Sequence, residues 1–99
     1  MKRFFLSLLA VSLFAPWASA QEWLTDYQKA LSQAKAQNKP VVIDFTGSDW
    51  CGWCIKLDRE VFSTADFKSY AAQKLVLLKV DFPKRTPLPA QQQAQNEKL

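Results

Sequence analysis

The run Val41-Val42-Ile43-Asp44-Phe45-Thr46-Gly47-Ser48-Asp49-Trp50-Cys51-Gly52-Trp53-Cys54 decides how this chain is read. Its first six residues are short, β-branched and apolar apart from one internal acid, and Gly47-Ser48 follows as a turn signal. Such a run predicts a strand buried on both faces, as in parallel sheets. Asp44 is the exception inside it: a carboxylate in an apolar strand has to be paired, hydrated or protonated. Beyond the turn, both cysteines of the chain fall in one C-x-x-C. They head a helical pattern from Cys51 to Phe62, with Cys54, Leu57 and Val61 along one face. Asp49 is the expected N-cap, which places Cys51 in the first turn.

Upstream, Glu22 to Asn38 reads as an amphipathic helix, with Trp23, Leu24, Tyr27, Ala30, Leu31 and Ala34 at helical spacing. Thr25 with Gln28 offers a capping box, and Pro40 stops the helix. Downstream, Ser63-Thr64-Ala65-Asp66 is a second capping signature, opening a short helix with Phe67, Tyr70 and Ala71 turned inward. Leu75 to Val80 is a second buried-type strand. Strand, helix and strand make a βαβ unit, which crosses over right-handed into parallel pairing. After Asp81 the character changes: Phe82 to Pro89 is a loop with three prolines, and Ala90 to Leu99 is polar and helix-prone. Leu88, Ala94 and Leu99 are its candidate packing residues.

The full length of 99 residues leaves room for one small domain. Lys2-Arg3, the apolar run Phe4 to Ala15 and the small triplet Ala18-Ser19-Ala20 follow the order of a secretory signal peptide. That apolar run is too short to span a bilayer, which takes roughly 20 residues. Residues 1–20 are therefore expected to be removed, leaving 79 of the 99 and no stable membrane anchor. Loss of Lys2 and Arg3 lowers the formal charge from +4 to +2. With no basic run longer than Lys84-Arg85, nucleic acid is not an expected partner. The absence of histidine removes His-based acid–base chemistry, Cys-His nucleophile pairs and His-containing metal sites.

The C-x-x-C admits several readings. A mononuclear zinc site wants four ligands, and two cysteines without histidine do not supply them. A c-type haem attachment needs His after the second Cys, where Ile55 stands. A structural disulfide closing so short a loop constrains the unfolded chain only weakly. The redox reading has a mechanism. Backbone N–H groups and the positive end of a helix dipole favour thiolate, and C-x-x-C cysteines can fall from ~8.5 to roughly 3.5–7.5. Cys51 would be the exposed attacking thiolate, and Cys54, one turn inside, the buried resolving thiol. Gly52 lets a substrate backbone approach, while Trp50 and Trp53 shield the site and offer apolar contact.

At this point the chain resembles the thioredoxin family. Val42-Ile43-Asp44-Phe45 followed by Trp50-Cys51-Gly52-Trp53-Cys54 is similar to that family's strand-to-active-site segment, and Leu78-Lys79-Val80-Asp81 to its next strand. The lead helix running into Asn38-Lys39-Pro40 is similar to that of secreted thioredoxin-like proteins. The resemblance implies an α/β thioredoxin-like fold over residues 21–99 and a Cys51–Cys54 disulfide alternating with a dithiol. It implies Cys51 as nucleophile, Cys54 as resolving cysteine, Asp44 as the acid that accepts the resolving thiol's proton, and Lys79 as the lysine beside that acid. Trp50, Gly52 and Trp53 would contact substrate. Neither a metal nor another cofactor is implied. The expected partners are protein disulfides and a membrane or soluble thiol donor, in the secreted space or the periplasm of a Gram-negative cell.

Three departures qualify the resemblance. Trp53 stands where thioredoxin has Pro and oxidising relatives commonly have His, and without a His the expectation leans towards a reductase. The loop between Asp44 and Cys51 is one residue longer than is typical. Finally, Leu99 falls before the strand that carries the family's cis-proline, and Pro83, Pro87 and Pro89 lie too early to be that residue. Only the N-terminal part of the fold is therefore expected, as from a longer protein. A non-catalytic binding module and an inactive fragment stand as the rival readings.

Overall fold

The two strand-forming runs pair in parallel, as the βαβ pattern predicts. The computed structural model describes residues 22–99, so the expected signal peptide, residues 1–20, lies outside the described residues. Strand β1 is Val41–Thr46 and β2 is Val76–Asp81, registered from Val41 against Val76 to Thr46 against Asp81. Between them run helix α2, Gly52–Leu57, a π-helical turn at Asp58–Phe62, and helix α3, Ala65–Lys74. Helix α1, Tyr27–Gln37, precedes β1, and α4, Ala90–Lys98, follows β2. Among the described residues no helix is long and apolar enough to cross a membrane.

Alternation along the strands sorts side chains between two faces. Val76, Leu78 and Val80 turn to one face and form the core with Ala30 and Ala34 of α1, joined by Leu24, Tyr27, Val41 and Ile43. Asp44, Thr46, Leu77 and Lys79 take the opposite parity, on the side of α2. Small alanines at Ala30 and Ala34 let α1 lie close to β2, where Val76, Leu78 and Val80 are wholly buried.

The first helix is shorter than its apolar spacing suggests. Trp23 and Leu24 fit a helical phase, yet Leu24 is extended and bridges to Leu78 in parallel. Its N–H donates to Leu77 O (2.8 Å), and Lys79 N–H donates to Leu24 O (2.8 Å). This bridge covers the second edge of β2, so β2 is flanked on both sides and buried. Asp26, and not the Thr25–Gln28 box, caps α1: its carboxylate accepts the Lys29 N–H at 3.0 Å. The helix ends at Asn38 in the left-handed region (φ 55°), a conformation that asparagine tolerates better than most residues.

Strand β1 departs from the expected burial on both faces. It is half-buried, and Phe45 is 53% exposed, because among the described residues β1 pairs on one side only. The capping signature at Ser63 also shifts by one residue. Thr64 Oγ1 accepts the Phe67 N–H and starts α3, whereas Ser63 closes the π-helical turn. Ala71 is fully buried and Phe67 half-buried, but Tyr70 is exposed rather than inward.

Helix α4 packs by polar contacts and not by the apolar residues expected. Ala94 and Leu99 are exposed and Leu88 is half-buried, while Asn96 is 2% exposed. Asn96 Nδ2 donates to the Asp81 carbonyl at 2.9 Å. Gln95 Oε1 accepts the Tyr27 N–H (2.8 Å), and Gln95 Nε2 donates to Thr25 O (2.9 Å) and to Asn96 Oδ1 (3.0 Å). Backbone groups orphaned where α1 begins and where β2 ends are thereby satisfied, which is why two amides serve here better than leucines.

Candidate active site

Gly47 to Asp49 bring the chain from the end of β1 to the start of α2. Cys51 occupies the N-cap itself, with its Sγ accepting the Cys54 N–H at 3.2 Å. Asp49, expected as the cap, does something else. Its carboxylate accepts three backbone N–H bonds from the loop after β2: Lys84 at 2.9 Å, Arg85 at 2.7 Å and Thr86 at 3.3 Å. Those bonds, the Lys84 N–H foremost, hold the Asp49 carboxyl below its ordinary range. Ser48 adds a second tie, donating its N–H (2.8 Å) and its hydroxyl to the Asp81 carboxylate.

Trp50 makes the third tie. Its Nε1–H donates to Phe82 O at 2.7 Å, and the Lys84 ammonium sits 4.1 Å from the ring centroid. The indole lies so close over Gly47 that a Cβ built there would come within 2.6 Å of Cζ2. No described glycine has positive φ, so Gly47 is fixed by lack of space and not by backbone conformation. Gly52 is the opposite case, with open space where a side chain would project.

Cys51 and Cys54 are disulfide-bonded, their Cα atoms 5.2 Å apart. The expected contrast of one exposed and one buried sulfur is not what is found: both cysteines are half-buried. Helix α2 has no fully buried residue, so one turn into it is not yet inside the core. Trp53 is 80% exposed and Trp50 46% exposed, so both indoles next to the cysteines in sequence are accessible. Lys56 lies 5.4 Å from the Trp53 centroid.

Behind the disulfide is a cavity of about 140 Å³ lined by Asp44, Thr46, Ser48, Cys54, Ile55, Asp58 and Lys79. Strand register alone sets Asp44 against Lys79, and the parity of both strands turns them towards α2. Three of the residues singled out from sequence, Asp44, Cys54 and Lys79, therefore line one space. Burial raises the Asp44 carboxyl above its ordinary value; Lys79 opposes that shift, and the Asp58 and Asp81 charges reinforce it. The Lys79 ammonium also lies 5.5 Å from the Trp23 centroid, and Trp23 packs edge-on against Phe62 at 5.1 Å.

Asp58 is the polar group that the sequence reading passed over, and Asp49 the one it assigned to a different task, the N-cap. Asp58 follows Cys54 by four residues, the spacing that puts two side chains on one helical face, which was the available signal. Ser63 Oγ donates to its Oδ2 at 3.1 Å. For Asp49 there was no signal, because its donors are backbone N–H groups 35 to 37 residues away.

Comparison with known proteins agrees with this geometry. The disulfide bond reductase DsbH of Chlamydia pneumoniae is 38% identical over 84 residues, covering 85% of this chain and 51% of that protein. The thioredoxin-related protein DsbJ of Chlamydia pneumoniae is 34% identical over 90 residues, 83% of this chain and 26% of its own length. A solved DsbH oxidoreductase superposes with a TM-score of 0.74 at 33% identity, over 89% of this chain and 62% of that one. The chain spans about half the length of the curated DsbH it matches. A family model described as thioredoxin-like matches residues 22–97. By sequence over that range and by fold, the chain belongs to the thioredoxin-like family.

Proposed function

We propose that this chain is an extracytoplasmic thiol–disulfide oxidoreductase that works as a reductase of protein disulfides. The observation that carries the reading is the disulfide at the head of α2, backed by one cavity shared by Cys54, Asp44 and Lys79. The names of its relatives DsbH and DsbJ and the lack of histidine support it. The compartment follows from the leader-like residues 1–20.

In the dithiol form the Cys51 thiolate attacks one sulfur of a substrate disulfide. A Cys51–substrate mixed disulfide forms, and the other substrate sulfur leaves as thiolate and takes a proton from water. Cys54 then gives its proton to the Asp44 carboxylate, whose raised proton affinity suits it to a half-buried thiol. The Cys54 thiolate attacks Cys51 Sγ and expels the second substrate thiolate. Two electrons have passed from the Cys51/Cys54 pair to the substrate. A thiol donor must return them by the reverse exchange, and no further cofactor enters the balance.

The test is substrate trapping on the full chain. Cys54→Ala should accumulate mixed disulfides at Cys51, while Cys51→Ala should accumulate none. Equal trapping by the two variants would overturn the assigned roles. A Cys51/Cys54 potential near about −270 mV agrees with a reductase, and one near about −120 mV would reverse the direction.

A further inference from the structure

The acids and bases around the disulfide are disposed unequally. Segments 41–58 and 76–86 carry four carboxylates, Asp44, Asp49, Asp58 and Asp81. Each has partners within the protein, although the Asp49 and Asp81 contacts lie at the surface and leave those carboxylates charged. Asp44 and Asp58 line the cavity behind Cys54, Asp49 accepts three backbone N–H bonds, and Asp81 accepts the N–H and hydroxyl of Ser48. The same segments carry four cations, and only Lys79 is turned into the cavity. Lys56, Lys84 and Arg85 are exposed.

Two of these exposed cations are placed by the tryptophans that flank the cysteines. Lys84 stands over Trp50 at 4.1 Å and Lys56 over Trp53 at 5.4 Å. A ring face attracts an ammonium through its quadrupole without neutralising it, so each lysine is held over a tryptophan that adjoins a cysteine, with its charge still available. The rim is thus an accessible aromatic surface bearing two positive charges, with open space at Gly52.

We propose that this rim selects extended polypeptide disulfides whose cysteine is flanked by acidic residues. The inference rests on the exchange chemistry proposed above and specifies its substrate class. Indole faces and an open glycine suit a peptide backbone with side chains on both sides of the reacting sulfur. The lysines supply the charge complement, which acts mainly on encounter and orientation. Exposed ion pairs are individually weak, so two of them predict a preference of roughly two- to tenfold, and added salt should erase it.

The test uses reduced full-length chain and three hexapeptide disulfides that differ only in the residues flanking cysteine: glutamate, glutamine or lysine. Second-order rates are followed by tryptophan fluorescence in a stopped-flow instrument, with glutathione disulfide as a fourth, small anionic probe. The expected order is glutamate, then glutamine, then lysine, converging at high ionic strength. Lys56→Gln with Lys84→Gln should flatten the order, and Lys56→Arg with Lys84→Arg should keep it. Removing cations near Cys51 also changes its thiolate fraction, so the ratio between peptides is the readout and not the rate. Equal rates for the three peptides, or an order unchanged in the glutamine double variant, would overturn the proposal while leaving the oxidoreductase intact. Glutathione disulfide outpacing the acidic peptide would overturn the polypeptide assignment. Exchange with none of the four would overturn this proposal and the oxidoreductase reading together.

Discussion

Gly47→Ala sets the packing of the active-site turn against the backbone's own preference. The new Cβ would lie within 2.6 Å of the Trp50 ring at Cζ2, inside van der Waals contact, so the indole must move. Moving it breaks the Nε1–H bond to Phe82 O and separates the ring from Lys84. A net hydrogen bond contributes about 0.5–1.5 kcal/mol and an exposed cation–π pair about 0.5–1 kcal/mol. The loss is then about 1–2.5 kcal/mol. Against it stands the gain from a less flexible unfolded chain, about 0.4–1 kcal/mol, available because Gly47 does not need positive φ. The net expectation is a destabilisation of about 0–2 kcal/mol in the native background. In a Trp50→Ala background the clash is gone, and the same substitution should become stabilising by about 0.4–1 kcal/mol. Urea unfolding of the oxidised protein, taken as a double-mutant cycle, measures the difference as a coupling of about 1–2.5 kcal/mol. A cycle that closes to within about 0.3 kcal/mol would refute the view that the indole dictates this glycine.

Two further outcomes are expected. Asp44 has a folded value raised by burial above 3.8, so it opposes folding once ionised. Stability linked to it is complete below 3.8 and is lost as pH rises through the folded value; Asp44→Asn should therefore be more stable than the native chain at pH 7, the gap closing towards pH 3.5. Urea midpoints at the two pH values decide the matter, and a gap that does not change with pH would sink it. Asn96→Ala should cost about 1–3 kcal/mol by leaving the Asp81 carbonyl without its donor, whereas Ala94→Ser, on the exposed side of the same helix, should stay within about 0.5 kcal/mol. Similar urea midpoints for the two variants would contradict the polar attachment of α4.

The parallel pair β1–β2 and the cysteine-headed helix were legible because their signals are local. A β-branched run, a turn and a C-x-x-C each lie within a few residues. The Asp44–Lys79 pairing was legible through resemblance, and the register supplies its physical basis. Trp23 and Leu24 were misread because two residues fit a helical phase as well as an extended one, and only the edge of β2 decides between them. The burial of β1 was overread for a related reason: a continuous apolar run reports the faces of a strand, not whether both its edges are paired. Helix α4 was legible as a helix, but its packing was misread because the apolar pattern takes no account of amides that satisfy distant backbone groups, as Gln95 does for Thr25 and Tyr27. Asp49 looked like a local cap because nothing near it in sequence announces donors at 84–86.

The Asp49 contacts have an evolutionary consequence. Its three donors are main-chain amides, so those hydrogen bonds do not depend on which side chains stand at 84–86. Thr86 can therefore vary widely among descendants of this gene while the turn before the cysteines stays anchored, whereas Lys84 is also held by its contact with Trp50. Only proline, which lacks the N–H, is barred from the three sites. Pro83 and Pro87 stand immediately outside them, marking the limits of the stretch where amides are required.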